Sequence, residues 1–382
     1  MTRRRCAIVG TGQTHFAKQR SDVSLDGLVR EAATRALADA ACGWDEVEAV
    51  VLGKAPDALE GVMMPELSLA DALGAVGKPI IRVHTAGSVG TSTAITAALL
   101  IESGRFDTVL TVAYEKQSEG NAMWALSAAG VGAGGTFAPW IRDYISRSRA
   151  PEHIGWMVAV KDRLNATRNP YAHLQMPDIS LEQVRDSPLL FDPLHFLESC
   201  PSSDGAAAMV LSSEALATRA EAAPAWIIGH AKRTELPSFP GRDTVRPLAA
   251  VECASEVYRQ AGITDPRRQI DCAELYVPFS WYEPMWLEGL LFAPEGEGWK
   301  MTEDGATELG GDLPVSMSGG VLSTNAIGAS GMVRCVEAAN QVRGLAGDHQ
   351  VDGARVALGH AYGGFAQYHA LMVVSSDPYP FG

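Results

Sequence analysis

Long apolar runs are missing from this sequence, and none approaches the roughly 20 residues that a membrane-spanning helix needs. The first residues, MTRRRCAIVGTG, carry three arginines but no hydrophobic segment of signal-peptide length. An excess of basic residues is missing too, because 31 Lys and Arg face 45 Asp and Glu, for a net charge of −14. The sequence therefore predicts a cytoplasmic protein with no membrane span and no nucleic-acid partner.

Paired cysteines are also absent, since the chain has no C-x-x-C motif. Scattered single cysteines favour reduced, buried thiols over a disulfide framework or a zinc site. We therefore expect structural cysteines and no metal site. The six cysteines are Cys6, Cys42, Cys200, Cys253, Cys272 and Cys335.

An internal repeat is present instead. Residues 28–53 have the pattern of a helix, a Gly stop, an acidic turn and a β-branched strand, and residues 249–277 repeat that order. Each helix follows a strand-like segment, CAIVGTG (6–12) in the first copy and AWIIGHA (225–231) in the second. Continuous apolar strands that alternate with helices predict an α/β protein with sheets covered on both faces.

We therefore predict two duplicated halves, residues 1–220 and 221–382. Residues 118–198 differ in character, because they are rich in Gly, Pro, Arg, Trp and His. A loop of this length inside a compact domain is usually functional. The sequence predicts that this stretch is an inserted lid or binding loop of the first half.

The segment VHTAGSVGTSTAITAALLIESG (83–104) has the pattern of a strand, a sharp glycine-bracketed corner and a helix. Such a corner holds a residue at the helix N-terminus, where free N–H groups favour negative charge. The corner residues are Gly87, Ser88 and Gly90. Ser88 is either a substitute nucleophile or a turn and helix-cap residue, and no Ser–base–orienter set accompanies it.

Several blocks, in this order, resemble the thiolase superfamily and, within it, the sterol-carrier or non-specific lipid-transfer-protein thiolases. The resemblance covers nearly the whole chain. The blocks are RLNATRNPYAH (163–173), PLHFLESCPSSDGAAAMVL (193–211), IDCAELYVPFSWYEPMWLEGLLFAPEGEG (270–298), MSGGVLSTNAIGASG (317–331) and LGHAYGGFAQYHALMV (358–373).

The resemblance implies a thiolase fold, with two βαβαβαββ-type halves in a five-layered α-β-α-β-α sandwich and an inserted loop region. It also implies a homodimer. The ligand that it implies is a coenzyme A thioester, bound as substrate and partly held by the loop region, with no further cofactor.

The residues at the family's catalytic positions differ in this chain. The family's nucleophilic cysteine falls on Gly87, the histidine of its G-H-P turn on Asn325, and the histidine of its E-L-H-D-C-F motif on Tyr276. The cysteine or asparagine of its last loop falls near Ala361. Because thiolysis needs a thiolate that becomes acylated, we do not expect classical thiolase activity.

Backbone donors do not depend on these side chains. Gly87 and Ser88 lead into a helix N-terminus, and Gly363 and Gly364 form a second glycine turn. The sequence predicts that their N–H groups together stabilise the enolate of a thioester. Asn325 is expected to take over the anchoring role of the lost histidine as an amide donor, without its basicity.

Proton transfer then falls to tyrosines. Tyr276 and Tyr362 are the candidate acid and base, and His360 is expected to assist them. A phenol with an ordinary pKa near ~10 needs local donors or positive charge before it acts as a base. The alternative is structural: strand tyrosines with bonded hydroxyls, and a core histidine.

Basic and aromatic side chains supply the remaining candidates. Arg142, Arg147 and Arg149 are candidate ligands of the coenzyme A phosphates, and the alternative is a solvated basic segment. The aromatic residues of FSWYEPMW (279–286) are interpreted as core or dimer packing rather than as a wall of the substrate site.

A site that stabilises an enolate without an acyl-enzyme suits aldol chemistry. Thiolase-like chains with Gly at this corner resemble the lipid-transfer-protein aldolases of bacterial steroid side-chain degradation. The resemblance implies retro-aldol cleavage of a steroid β-hydroxyacyl-CoA to a ketone and a short acyl-CoA. It also implies a small acyl-CoA-binding partner with an OB-fold and a zinc ribbon. The alternative is a non-catalytic acyl-CoA scaffold or carrier subunit of a lipid-metabolising complex.

Overall fold

The first half of the chain alternates strands and helices. The computed structural model describes residues 4–55, 57, 61–120, 132–218, 222–236 and 241–381. The first seven elements are β1 (Cys6–Gln13), α1 (Leu25–Asp39), β2 (Ala49–Lys54), α2 (Glu66–Ala72), β3 (Ile80–Val83), α3 (Val89–Glu102) and β4 (Thr108–Lys116). Helix α1 begins where Ser24 Oγ accepts the N–H of Gly27 at 3.1 Å, which satisfies one free N–H group of the first turn.

Between β4 and the last strand of this half lies a helical insertion. Its elements are α4 (Gly132–Ser148), α5 (His153–Ala166), α6 (Leu181–Arg185), β5 (Leu189–Phe191) and β6 (Leu194–His195), and β7 (Asp204–Ser213) and α7 (Glu214–Ala217) follow them. The prediction of a loop within residues 118–198 is therefore wrong where α4, α5 and α6 form, and residues 121–131 of that stretch lie outside the described residues. Helix α4 buries Phe137, Ile141 and Tyr144 on one face, and this packing stabilises a helix that the Gly and Pro content alone would disfavour.

The second half repeats the order of the first. Its elements are β8 (Ala225–Thr234), α8 (Leu248–Ala261), α9 (Pro266–Gln269), β9 (Cys272–Glu274), α10 (Tyr282–Gly289), α11 (Gly298–Glu303), α12 (Gly320–Ser323), α13 (Ile327–Arg343), β10 (Val356–Gly363) and β11 (Tyr368–Ser375). Helices α8 and α13 both end at a left-handed glycine, Gly262 and Gly344, where a residue with a side chain would be strained.

Sheet pairing shows the duplication. Within the described residues the main sheet has nine strands in the order β3-β2-β4-β7-β1-β8-β11-β10-β9. In the first half β1 pairs with β7 and β7 with β4, both antiparallel, and β4 pairs with β2 in parallel. In the second half β8, β11, β10 and β9 pair in the same order and the same senses. The two halves meet where β1 pairs with β8.

Five layers result from the way the helices cover this sheet. Helix α1 packs on the outer face of the first half-sheet and α8 on the outer face of the second, while α3 and α13 pack against each other between them. The central layer buries Ala94 and Ala98 of α3 against Met332 and Val336 of α13. The predicted α-β-α-β-α thiolase fold is confirmed, and it brings the N-terminus of α3 beside the C-terminal end of β10.

Candidate active site

The corner at Gly87 is a sharp turn between β3 and α3. Ala86 has a φ of 49°, a left-handed conformation that is uncommon for a residue with a side chain. Helix α3 begins at Val89, and Ser88 is its N-cap. The N–H groups of Gly87 and Ser88 have no hydrogen-bond partner among the described residues. The turn therefore leaves two backbone donors at the positive end of a helix.

Gly363, the last residue of β10, packs directly against this corner. A Cβ atom on Gly363 would lie 2.6 Å from the amide nitrogen of Ser88 and 2.7 Å from that of Gly87. A Cβ atom on Gly87 would lie 2.8 Å from the carbonyl oxygen of Tyr362. Both positions need glycine because the two backbones approach so closely. The structure thus brings Gly87, Ser88 and Gly363 together.

Gly364 is not part of this contact. It is exposed and has a φ of 62°, and a Cβ atom there would meet Gln367 and Tyr368 rather than the corner. Gly364 therefore shapes the turn that leads from β10 to β11.

The side chain of Ser88 points back into the turn. Its hydroxyl donates to the carbonyl oxygen of Thr85 at 2.7 Å, and the residue is 1% exposed. Among the described residues no histidine or carboxylate is hydrogen-bonded to Ser88. This geometry favours the turn interpretation over a substitute nucleophile.

Tyr276 faces the corner from the segment that follows β9. Its hydroxyl oxygen lies 3.7 Å from the position that a Cβ atom of Gly87 would occupy, and it donates to Asn325 Oδ1 at 3.4 Å. Its carbonyl oxygen accepts the indole N–H of Trp286 at 2.9 Å, which fixes the backbone of this segment. The phenol of Tyr276 therefore lies beside Gly87, a corner residue that has no side chain.

Asn325 is held by contacts on each of its polar groups. Its backbone N–H donates to Ser203 Oγ at 3.1 Å, and Oδ1 also accepts the hydroxyl of Ser330 at 3.0 Å. Its Nδ2 group donates to the sulfur of Cys200 at 3.2 Å. Cys200, which was predicted to be only structural, thus lies beside the amide that contacts Tyr276. No spacing in the sequence signals a contact across 125 residues.

Tyr362 belongs to an aromatic cluster beside the corner. Its ring stacks on Tyr282 with centroids 5.5 Å apart and meets the edge of Tyr276 at 5.3 Å. Trp286 and Phe137 lie 5.0 and 6.4 Å away. The Tyr362 hydroxyl has no hydrogen-bond partner among the described residues. The two candidate proton carriers are therefore neighbours, as their predicted joint role requires.

Burial keeps the acidic groups of this site protonated. It raises the pKa of Tyr276 well above its ordinary value, and Arg334 lowers that pKa by less. Burial also raises the pKa of Tyr362, and the nearby phenols of Tyr282 and Tyr276 add to that effect. Burial raises the pKa of the Cys200 thiol to about 11. The effect of burial thus exceeds that of the positive charge on Arg334, and both tyrosines are neutral hydrogen-bond donors near pH 7.

His360 is fully buried, with both ring nitrogens engaged. Nδ1 accepts the backbone N–H of Tyr276 at 3.4 Å, and Nε2 lies 3.2 Å from Nδ1 of His369. His369 in turn reaches the carbonyl oxygen of Ala366 at 3.3 Å. Burial lowers the pKa of both imidazoles, that of His369 to about 3, so both are neutral. His360 has no nitrogen left for a substrate and instead ties Tyr276 to the turn after Gly363.

The three candidate arginines lie on or just after α4 and are not part of the corner. Arg142 pairs with Asp192 at 3.0 Å, and Arg147 pairs with Asp143 at 3.0 Å. Arg149 is exposed with a φ of 56°, where α4 ends. Their predicted role at the coenzyme A phosphates therefore stays a prediction.

Metal-binding clusters and membrane-spanning helices are both absent from the described residues. No group of three or more His, Cys, Asp or Glu side chains is placed to hold a metal ion. No helix there combines the length and the apolar composition needed to cross a bilayer.

Family models match both halves of the chain. The model described as "Thiolase, N-terminal domain" matches residues 6–134, and "Thiolase C-terminal domain-like" matches residues 233–376. Human sterol carrier protein 2 is 31% identical over 401 residues, with 95% of this chain and 70% of that protein covered. The chain belongs to the thiolase superfamily, in its sterol-carrier and lipid-transfer branch.

Two further similarities bear on the type of chemistry. An acetyl-CoA acetyltransferase of Methanothermobacter thermautotrophicus is 29% identical, with 97% of this chain and 99% of that protein covered. The solved structure of an Ltp2-ChsH2(DUF35) aldolase has a TM-score of 0.83 and 27% identity, with 97% of each chain covered. Both an acyltransferase and an aldolase therefore share this fold, and the site residues must decide between them.

Proposed function

We propose that this chain is a retro-aldolase that cleaves the Cα–Cβ bond of a β-hydroxyacyl-CoA to a ketone and a short acyl-CoA. No acyl-enzyme forms. The proposal is carried by one observation: the Tyr276 hydroxyl faces a corner whose residue, Gly87, has no side chain. Covalent thiolysis needs a nucleophile at that corner, whereas proton transfer needs only a phenol within reach.

The backbone supplies the electrostatic part of the reaction. The unpartnered N–H groups of Gly87 and Ser88 bind the thioester oxygen, which becomes an enolate oxygen when the carbon–carbon bond breaks. Donors fixed before the reaction stabilise that developing charge more than the neutral thioester. One such donor is worth about 10²–10³ in rate.

The neighbouring phenols move the protons. One phenol oxygen accepts the β-hydroxyl proton while that phenol passes its own proton to the partner phenol. The partner delivers its proton to the α-carbon of the enolate, so all atoms and charges balance. Because Tyr276 and Tyr362 are held protonated in the free protein, this relay needs no phenolate at rest. The two rings are neighbours, with centroids 5.3 Å apart, and the relay requires their hydroxyls, which share no hydrogen bond among the described residues, to come within hydrogen-bond distance when the substrate binds.

Substrate and assembly belong to the same proposal. The acyl group is a steroid side-chain thioester, as the resemblance implies, and the aldolase with 27% identity is named with a second component, ChsH2(DUF35). We infer by analogy a small OB-fold and zinc-ribbon acyl-CoA-binding partner, beside a homodimer of this chain in the cytoplasm. Arg142, Arg147 and Arg149 are then the candidate contacts to the coenzyme A phosphates.

Product analysis tests the reaction. The protein, with and without its partner, is incubated with a steroid β-hydroxyacyl-CoA, and ketone and shortened acyl-CoA are followed by mass spectrometry. Both products should appear in equal amounts without added free coenzyme A. Coenzyme A-dependent cleavage of a 3-ketoacyl-CoA, with no ketone from the hydroxylated substrate, would show that the assignment is wrong.

Tyr276→Phe separates catalysis from a carrier role. Loss of an acid–base group typically costs about 10²–10⁴ in rate, so turnover should fall by that factor while acyl-CoA binding is kept. Tyr144→Phe is the matched control, because its hydroxyl bonds Glu288 at 2.8 Å, away from the corner. A non-catalytic scaffold would show no turnover to lose in either variant.

A further inference from the structure

Tyr282 carries a buried hydroxyl that the fold leaves unbonded. The residue begins α10 and is 0% exposed, and its hydroxyl has no hydrogen-bond partner among the described residues. Two other buried tyrosines differ, because Tyr258 donates to the carbonyl oxygen of Leu290 at 2.8 Å and Tyr144 donates to Glu288 at 2.8 Å. A buried hydroxyl without a partner costs folding free energy, and a ligand that accepted a hydrogen bond from it would remove that cost.

The position of Tyr282 links this hydroxyl to the candidate site. Its ring stacks on Tyr362 at an interplanar angle of 20°, and Phe137 meets it edge-on at 5.6 Å. Phe279 and Trp286 complete an aromatic wall at 6.5 and 5.0 Å. The Tyr282 hydroxyl is thus a buried polar atom among aromatic rings, next to the candidate proton carrier Tyr362. Ligand sites fix orientation and specificity with a few polar groups of this kind.

We propose that the Tyr282 hydroxyl donates a hydrogen bond to the β-hydroxyl oxygen of the bound acyl group and so determines a preference for β-hydroxylated over plain hydrocarbon acyl chains. The inference rests on the proposed function only in taking an acyl-CoA as the ligand. Sites built to bond a ligand hydroxyl discriminate against analogues that lack it, because the protein group is then left unpaired.

The acyl group reaches this hydroxyl by displacing a ring. Of the four aromatic neighbours, Phe137 on α4 is the most exposed, at 8%. Phe137 belongs to the helical insertion, and its edge-on contact covers the Tyr282 ring from that side. Binding is therefore expected to move Phe137 rather than the fully buried Trp286.

Equilibrium binding tests the preference apart from turnover. Affinities for 3-hydroxydecanoyl-CoA and decanoyl-CoA are measured by calorimetry in a Tyr276→Phe protein, where turnover is suppressed. The same protein is then compared with added Tyr282→Phe or, as the matched control, Tyr258→Phe. We expect Tyr282→Phe to reduce the preference for the hydroxylated thioester about tenfold, the effect of one hydrogen bond. Tyr258→Phe should leave the preference unchanged.

Melting temperatures of the ligand-free proteins give the second readout. Tyr258→Phe should melt earlier because it loses a bond, whereas Tyr282→Phe should melt at the same or a higher temperature. An unchanged preference in Tyr282→Phe overturns the proposal, and so does a melting-point loss equal to that of Tyr258→Phe. Absence of binding by either thioester also overturns it. Absence of ketone product from the wild type refutes only the retro-aldolase assignment.

Discussion

Replacing Gly87 by alanine tests whether the close approach of β10 builds the site. The new Cβ atom would lie 2.8 Å from the carbonyl oxygen of Tyr362, 3.4 Å from Gly363 Cα and 3.7 Å from the Tyr276 hydroxyl. The first distance is too short for a carbon–oxygen contact, so the backbone must move. Strand β10 yields at a cost, because Tyr362 and Gly363 are paired in register with β11.

The size of the effect follows from this geometry. Overpacking by one methyl group typically costs 1–3 kcal/mol, and we expect Gly87→Ala to lower the free energy of unfolding by about 2 kcal/mol. The same movement displaces the Tyr362 ring relative to the corner amides. Since a misplacement of about 1 Å can cost 10²-fold in rate, turnover of a β-hydroxyacyl-CoA should fall by up to about 10².

Urea denaturation and product formation measure the two effects. Gly289→Ala is the matched control: at the end of α10 its Cβ atom would meet Ala250 and Trp286 at 3.5 and 3.7 Å, ordinary contact distances. A glycine replaced without strain should be neutral or stabilising by up to about 1 kcal/mol. If Gly87→Ala unfolds at the wild-type urea concentration and keeps full turnover, the reasoning about this corner is refuted.

Two further variants test buried titratable groups. The pKa of His369 is lowered to about 3 in the folded protein, whereas in the unfolded chain it is near ~6.5. Below pH ~6.5 the unfolded chain takes up a proton that the folded protein does not, so the folded protein loses stability as the pH falls toward 3. His369→Gln removes this proton uptake, so between roughly pH 6 and 4 the free energy of unfolding should change by about 1.4 kcal/mol less per pH unit than in the wild type. An unchanged slope would refute a neutral buried ring. Glu274→Leu leaves the buried guanidinium of Arg334 without its carboxylate and should cost about 3–5 kcal/mol in urea denaturation. The exposed Asp186→Ala should cost less than about 1 kcal/mol, and equal losses would contradict the assumed role of burial.

The architecture could be predicted from the sequence because each half repeats a local signal. The strand-like CAIVGTG and AWIIGHA segments become β1 and β8, each followed by a helix that packs on the outer face of its half-sheet. The insertion could not be predicted in this way. Its Gly and Pro content favours loops, yet α4 accommodates Pro139 and is stabilised by the apolar face that it buries against the second half.

The site was only partly readable from the sequence. Gly87, Asn325 and Tyr276 stand at motif positions, and the structure brings them together. Cys200 and Tyr282 lie within blocks that resemble the family, but those blocks do not indicate their contacts with residues far apart in the chain. The neutral state of His360 also depends on its burial and on the neighbouring His369, nine residues away on the next strand, and no composition signal reveals either.

The glycine at position 87 and the position of the Tyr362 phenol depend on the same close contact between the corner and β10. Any side chain at position 87 would collide with the carbonyl oxygen of Tyr362, so a cysteine there cannot coexist with β10 in its present position. Moving β10 to admit a thiol would move the Tyr362 ring and the Gly363 backbone away from the corner amides. Gly87→Cys should therefore not restore thiolysis, since the position of the lost histidine holds Asn325, whose amide cannot act as a base. The packing of β10 on the corner, and not only the missing sulfur, therefore opposes a nucleophilic side chain at position 87.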